Sequence, residues 1–435
     1  MLSEARNKTL TQVGAGTPMG DYLRRFWHPI AGAAEFDEKS VKAIRLMGED
    51  LTLYKDLSGT YGLVDRHCPH RRADLSFGYV EDVGIRCNYH GWRMDETGAC
   101  VEQPFEETYN PKGKLKDRCA ITAYPVREVA GLLFAYMGPA PVPQLPIWEP
   151  FTWAHGFIEV ITADVPCNWF QCQENSCDPV HFEWMHDNWS VRQRGELGPY
   201  APKHFQVAFD EFEYGFTYRR RREGQEETDP MWTTGRVALW PNGFYLGGHF
   251  EWRVPVDDEN TLSVAWFFTR LPIESEPIAP QKSFWWQAPI KDARGEWITS
   301  HVMNQDIVAW VGQGRVADRS KENLGASDRG IAMIRNRFFE EIEAVASGSE
   351  AKGVIRDEQT AQCPKLPIAT VELFRDGLPR RDYLASKWFG PRIHDFRWHA
   401  GQPEHVRDAF RRAVLGEEYE GRIEALKAED KARGD

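Results

Sequence analysis

Apolar residues recur at two different periods along this chain, and the changes of period mark out its parts. Across residues 10–30 the spacing is helical. Thr17 stands where an N-cap is wanted, Pro18 takes the first helical position, and Tyr22, Leu23, Phe26 and Trp27 fall near one face. From Ala43 to Val64 short apolar runs alternate with turns such as Ser58-Gly59. Ile121 to Met137 adds more of them, Leu132-Leu133-Phe134-Ala135-Tyr136 being the strongest. These runs predict a small antiparallel β domain. The stretch from Gly138 to Pro146 is Pro-rich and stiff, and the domain join is set there, with residues 1–140 on one side and 141–435 on the other.

Beyond the join, residues 157–165, 205–222, 236–256 and 261–271 have the character of strands, Thr261 to Phe268 being apolar and β-branched enough for a buried one. Helical stretches bracket them. Asn168 to Met185 is helical in whole or part, Trp297 to Gly312 is a second helix, and Asp328 opens a third over Ile331 to Ala346. Arg315 to Gly330 is a polar loop. The tail, 402–435, is charged and helical with Val406, Phe410, Val414, Ile423 and Leu426 as its apolar side. Long antiparallel strands bracketed by helices make an α+β domain.

Composition narrows the function. The chain has 435 residues, long enough for two cores, and its 17 Trp and 24 Phe can fill them. A net charge of −12 argues against nucleic-acid binding, which wants a basic face. There is no run of 18 apolar residues, so no membrane-spanning helix is expected. Met1 to Leu10 carries Glu4, Arg6 and Lys8 in place of an apolar leader. Eight Cys without a disulfide framework suit the reducing cytoplasm.

The chemistry concentrates in two places. Cys68-Pro69-His70 and Cys87-Asn88-Tyr89-His90 form C-x-H and C-x-x-H pairs separated by the stretch Arg71 to Arg86, in loops between strands. Two thiolates and two imidazoles at this spacing suit a [2Fe–2S] cluster with Cys on one iron and His on the other. Zinc also takes Cys₂His₂, but its motifs usually place two Cys in one knuckle and two His in the other. The second place is Asp178-Pro179-Val180-His181-Phe182-Glu183-Trp184-Met185-His186. On a straight α-helix, residues five apart point roughly 140° away from each other. For His181 and His186 to converge on one metal, a bend or a helix end must lie between them. With a later carboxylate they would make a 2-His-1-carboxylate triad, which leaves Fe(II) positions open for O₂ chemistry. Read alone, they are two polar residues near a helix end, and Asp178 before Pro179 is a plain N-cap.

At the two knuckles, and at Tyr89-His90-Gly91-Trp92 in particular, the chain resembles the Rieske non-haem iron oxygenases, in the branch of the phthalate dioxygenases and dehydrodivanillate O-demethylase oxygenase subunits. The resemblance runs from about residue 10 to about residue 400. It implies a helix-grip catalytic domain with a hollow interior after the Rieske domain, and Cys68, His70, Cys87 and His90 as cluster ligands. It also implies mononuclear iron on His181, His186 and a distant carboxylate. Asp306, in Gln305-Asp306, resembles the third-ligand position, with Glu296, Asp292 and Asp318 behind it. Asp178 stands where the family bridges a cluster His and an iron His, here His90 and His181. The branch implies electrons from NAD(P)H through a reductase, with or without a ferredoxin, O₂ as oxidant, and a homotrimer or stacked trimers. It implies an aromatic carboxylate substrate, either O-demethylated with release of formaldehyde or, alternatively, cis-dihydroxylated like phthalate; the reading of another class is a Rieske electron carrier whose C-terminal domain holds no catalytic iron. Such a substrate calls for a cation. Lys203, beside His204, resembles a position where phthalate enzymes carry Arg, and Trp240 to Tyr245 offers no second Arg. Phe244, Tyr245, Phe250 and Trp252 suit either an aryl pocket or a plain core. Arg219-Arg220-Arg221-Arg222 reads as a solvated strand end, with a substrate or reductase contact as the alternative.

Overall fold

The computed structural model describes residues 1–278, 282–369, 377–386 and 400–433. Glu4–Thr11 and Pro18–Leu23 are helices, and Thr17 caps the second by accepting from the Gly20 amide. The helical face expected to continue to Trp27 stops at Leu23. Trp27–Gly32 is instead a strand at the edge of a three-stranded sheet, antiparallel to Leu132–Tyr136. Its register breaks between Pro29 and Ala31. Pro29 has no amide to donate, and an irregular edge strand is where a sheet tolerates it.

The N-terminal β part holds two four-stranded antiparallel sheets. One joins Val41–Leu46, Glu49–Lys55, Tyr61–Asp65 and Ala123–Tyr124. The other joins Tyr79–Val80, Ile85–Arg86, Arg93–Met94 and Cys100–Glu102. Their shared core contains Tyr54, Val64, Leu75, Ile85, Trp92 and Met94, with Cys68 and Cys87 inside it.

The second part is built on an eight-stranded sheet in the order His204–Phe212, Gly215–Arg222, Arg236–Leu239, Gly243–Tyr245, His249–Pro255, Thr261–Arg270, Gly156–Val165, Ser283–Gln287. All neighbours are antiparallel except the last pair. The expected strand over 205–222 is therefore a hairpin turning at Glu213-Tyr214, and 236–256 is three strands. Period-2 alternation sends each strand's residues to opposite faces. In His249–Pro255, Phe250, Trp252 and Val254 pack toward the N-terminal part, with Trp252 edge-on to Phe134 at 6.0 Å. His249, Glu251 and Arg253 take the other face, where Arg253 lies 4.6 Å over Trp310. Tyr245, Phe250 and Trp252 thus belong to the core, and of the aromatic run only Phe244 faces the other way, paired with Glu251.

Helices Trp169–Asn175, Val302–Gly312 and Arg329–Ala346 cover the sheet's second face together with a π-helical turn, Phe182–Asn188. Val302–Gly312 begins later than the expected Trp297 because His301 caps it, accepting from the Met303 amide. In the tail, helices Glu404–Leu415 and Glu418–Arg433 form, and Val406, Phe410 and Val414 are buried beside Phe157 and Trp310. The side chains of Ile423 and Leu426 lie outside the described set. Among the described residues, no helix is long and apolar enough to cross a membrane.

One buried ionic knot ties the parts that matter to the site. Glu174 accepts from Arg319 Nη2 and Arg335 Nε, each at 2.6 Å, and Arg319 also donates to Asn7 of the first helix. Burial pushes the Glu174 carboxyl up, but the two guanidinium groups outweigh it and hold it below its ordinary value of 4.5. The knot's contribution is therefore complete above that ordinary value and is lost as pH falls through the depressed one. Glu174→Ala leaves the buried Arg319 without its carboxylate and Arg335 with Glu322 alone, and we expect a loss of about 3–5 kcal/mol, read from the midpoint of chemical denaturation at neutral pH. A midpoint within error of the parent would disprove the role.

Candidate metal centres

The two Cys/His knuckles face each other at one tip of the N-terminal part. Each is closed by its own turn: the Arg72 amide returns to the Cys68 carbonyl at 3.0 Å, and the Gly91 amide to the Cys87 carbonyl at 3.0 Å. Gly91 has φ +75°, which a side chain would resist, so the tight second knuckle needs glycine here. Arg86 braces it, donating to the Gly91 carbonyl at 2.7 Å while ion-pairing with Glu81 and Glu102. The arrangement sorts ligand types. Cys68 and Cys87 are buried together, and each thiol's contact with the other, ahead of burial, raises that of Cys68 and lowers that of Cys87. The rings of His70 and His90 lie 4.4 Å apart, and His70 stacks flat on Trp92 at 4.5 Å. Burial, then His90 and Arg71, pull the His70 imidazole below its ordinary value, so it stays neutral. His70 Nδ1 is buried with no hydrogen-bond partner. Paired thiols on one side and paired imidazoles on the other suit a mixed-ligand [2Fe–2S] cluster.

The second centre lies on the covered face of the eight-stranded sheet. His181, His186 and Asp306 offer one ligand atom each, all within 4.8 Å of one another. Asp306 Oδ1 stands 3.7 Å from His181 Nε2 and 3.4 Å from His186 Nε2. The expected bend between the histidines takes another form. His181 caps a π-helical turn, in which each amide bonds the carbonyl five residues back, as the Trp189 amide does to Trp184. In that wider winding residue i+5 returns above residue i, so an H-x₄-H pair converges without a kink.

His186 Nδ1 donates to Gln305 Oε1 at 3.0 Å, so its Nε2 is left free for the cluster's centre and has no hydrogen-bond partner of its own. Gln305 is held in turn by Ser190 and Gln193. Burial lowers the His186 imidazole, but Asp306 and then Gln305 outweigh it and raise it. Asn175 Nδ2 donates to Asp306 Oδ1 at 3.3 Å. Gln171 anchors the carboxylate's helix by donating to the carbonyls of Trp310 and Gly314. Sequence reasoning missed Gln305 and Asn175, though Gln305 was visible as the neighbour of Asp306. A buried imidazole nitrogen without a partner, facing a carboxylate and a second imidazole, fits a single divalent cation of the iron type.

The other site residues fall out as follows. Asp178 Oδ2 lies 3.6 Å from His181 Nδ1, an ionic contact longer than a hydrogen bond, and its Oδ1 accepts from the Val180 amide. Burial raises its carboxyl, but His181 and the amides of Val180 and His181 prevail and hold it down. Asp292 and Glu296 share a surface turn, and Asp318 pairs with exposed Lys321. Lys203 is exposed. His204 has both nitrogens engaged, Nδ1 with Glu183 at 2.9 Å and Nε2 with Arg222 at 3.1 Å. Burial and the guanidiniums of Arg222 and Arg220 draw its imidazole down to about 4, and it serves as a neutral strut.

Comparison with known proteins agrees with this geometry. Residues 26–125 match the Rieske [2Fe-2S] domain, and residues 271–372 match a family described as LigXa C-terminal domain like. The chain is 54% identical to the 5,5'-dehydrodivanillate O-demethylase oxygenase subunit of Sphingobium sp. (strain NBRC 103272 / SYK-6), over 98% of this chain and 100% of that one. It is 34% identical to the phenoxybenzoate dioxygenase subunit alpha of Ectopseudomonas oleovorans, over 81% of this chain and 88% of that one. Among solved structures, NdmA of Pseudomonas putida CBB5 superposes with a TM-score of 0.56 at 20% identity, covering 79% of this chain and 96% of that one, which speaks for the fold. With identity at that level running from end to end of an oxygenase subunit, the chain belongs to the Rieske non-haem iron oxygenases, whose oxygenase component carries a [2Fe–2S] cluster and mononuclear iron and takes its electrons from a reductase.

Proposed function

We propose that this chain is the terminal oxygenase that O-demethylates a methoxylated, lignin-type aromatic acid of the dehydrodivanillate kind. The observation that carries the reading is the 54% identity over the whole of a relative with that named activity. The overall change converts an aryl methyl ether, O₂, two electrons and two protons into a phenol, formaldehyde and water. The methyl carbon is oxidised to a hemiacetal, which collapses with the phenol oxygen as leaving group. The test supplies the holoenzyme with a reductase, NADH and 5,5'-dehydrodivanillate. One formaldehyde per substrate consumed supports the reading. A ring cis-diol without formaldehyde would replace it with dihydroxylation.

In this proposal Cys68, His70, Cys87 and His90 hold the cluster, and His181, His186 and Asp306 hold the iron. Residues 1–140 act as the electron-receiving unit and 141–435 as the catalytic one, in the cytoplasm, where NAD(P)H is available. The bound iron supplies O₂ activation at open coordination positions. The chain's own residues do the rest. Gln305 fixes the His186 tautomer, and Asn175 steadies Asp306. Asp178 orients His181 and offers its second face to a cluster histidine. Within one chain Asp178 contacts Val180 and His181, while His90 contacts His70 and Tyr89. His90 is exposed. We therefore assign the Asp178–His90 bridge to a contact between neighbouring subunits in a head-to-tail trimer.

Gln305→Leu removes the acceptor that sets the tautomer, and we expect iron affinity to drop about 10–100-fold, measured as iron retained after dialysis against a chelator. Gln305→Glu, which keeps an acceptor, should retain most of it. Equal iron in the Leu variant and the parent would remove Gln305 from this role.

A further inference from the structure

The run Arg219-Arg220-Arg221-Arg222 lies in the strand Gly215–Arg222, where alternation sends neighbours to opposite faces. Three of the four are matched. Arg219 pairs with Asp210, Arg221 with Glu227, and Arg222 with Asp187 and His204. Arg220 has no carboxylate partner among the described residues. It donates to the Pro179 carbonyl at 3.2 Å and lies 4.5 Å over the Phe182 ring.

A second guanidinium shares that ring. Arg236, on the next strand, lies 4.9 Å over Phe182, reaches only the Tyr218 hydroxyl at 3.5 Å, and also lacks an ion pair among the described residues. Phe182 in turn contacts the His181 ring at 4.5 Å and the His186 ring at 5.0 Å. Two unneutralised cations therefore stand one phenyl ring from the metal triad. Burial lowers the Arg220 guanidinium to about 10, and the charge of Arg236 adds to the strain. Two like charges in a partly desolvated place repel each other and favour an anion between them. A planar guanidinium pair matches a carboxylate's two oxygens. Arg220, Arg236 and Phe182 all keep some exposure, so an anion can reach them.

We propose that Arg220 and Arg236 form the anion site that holds the carboxylate of the aromatic substrate beside the metal centre. The assignment rests on the aromatic-acid reading and takes the anchoring role from exposed Lys203 and from His204. A ligand held there by its carboxylate can lie along Phe182 with its distal substituents toward His181 and His186.

The test uses the holoenzyme with benzoate and its uncharged counterpart benzamide, following binding by calorimetry and by protection against thermal unfolding. The parent should bind benzoate about tenfold or more tighter than benzamide. Arg220→Gln and Arg236→Gln should each weaken benzoate by about tenfold or more and leave benzamide within about twofold. Arg220→Lys should keep part of the preference. Cluster absorption and iron content report whether each variant folds. Benzoate affinity unchanged in both Gln variants, or no preference for benzoate in the parent, overturns the anion site. Benzoate binding that depends on Arg220, together with no formaldehyde from 5,5'-dehydrodivanillate, leaves the anion site standing and overturns the demethylase reading instead.

Discussion

The His186→Ala protein is expected to keep the visible absorption of its cluster, lose about one iron of its three per chain, and lose turnover altogether. His186 Nε2 is one of the three ligand atoms gathered at the second centre among the described residues, and it stands 3.4 Å from Asp306 Oδ1. Alanine leaves one imidazole and one carboxylate, too few to hold Fe(II) against water. It also strands Gln305, whose Oε1 accepts from His186 Nδ1. Nothing in this change touches the first centre. The cluster knuckles sit in a core of their own, around Tyr54, Val64, Leu75 and Met94, built from residues 41–100. The two metal sites should therefore fail independently. Cys68→Ala should bleach the cluster and leave the mononuclear iron in place. Iron counts, visible spectra and formaldehyde release, measured on the same preparations, decide the matter. A His186→Ala protein that still turns over, or that loses its cluster as well, would break the assignment.

The parts of this molecule that could be read in the sequence are those where one local rule decides. Thr17-Pro18 sets a cap and a first helical position, and the helix starts there. The Cys/His spacing sorts thiols from imidazoles with no knowledge of the fold. Asp306 stands out because a carboxylate among Ile307, Val308 and Trp310 needs a partner. Where tertiary context decides, the sequence said less. Trp27 looked helical because aromatic spacing does not distinguish a helix from a strand that starts just after one ends. The turn at Glu213-Tyr214 was hidden in a run, 205–222, in which apolar and polar residues are mixed on both sides of the turn. The convergence of His181 and His186 depends on a π-helical winding that no propensity announces. Arg220 was lost inside four consecutive arginines. Alternation along a strand would have sent it to a different face from Arg219 and Arg221, but which face is covered is known only once the neighbouring elements are placed. His204 was misjudged for the converse reason. Its proximity to Lys203 in sequence suggested a substrate contact, whereas in space it is locked between Glu183 and Arg222.

Mixing two inactive variants should restore activity, and the amount restored tests the path the electron takes. Cys68→Ala has a dead cluster and a sound iron site, and His186→Ala has the reverse. If each cluster served the iron of its own chain, no mixture could work, because every chain carries one broken site. If His90 of one subunit meets Asp178 of the next, a productive contact needs only a His186→Ala chain presenting its cluster to a Cys68→Ala chain. In a head-to-tail ring assembled at random from equal amounts, that order occurs at about one contact in four, so about a quarter of the parent turnover per chain is expected. The exposed His90 ring, and an Asp178 side chain whose partners among the described residues are Val180 and His181, are the surfaces such a contact would join. Asp178→Asn adds a second reading. It keeps a side chain of the same shape and the Val180 contact while removing the negative charge between two imidazoles. Both metal sites should then stay full while electron transfer from cluster to iron slows. The mixed rings must be shown to be mixed, for example with differently tagged variants purified through both tags. Rings of proven mixed composition with no turnover, or full parent activity in a dilute monomer, would refute the route between subunits.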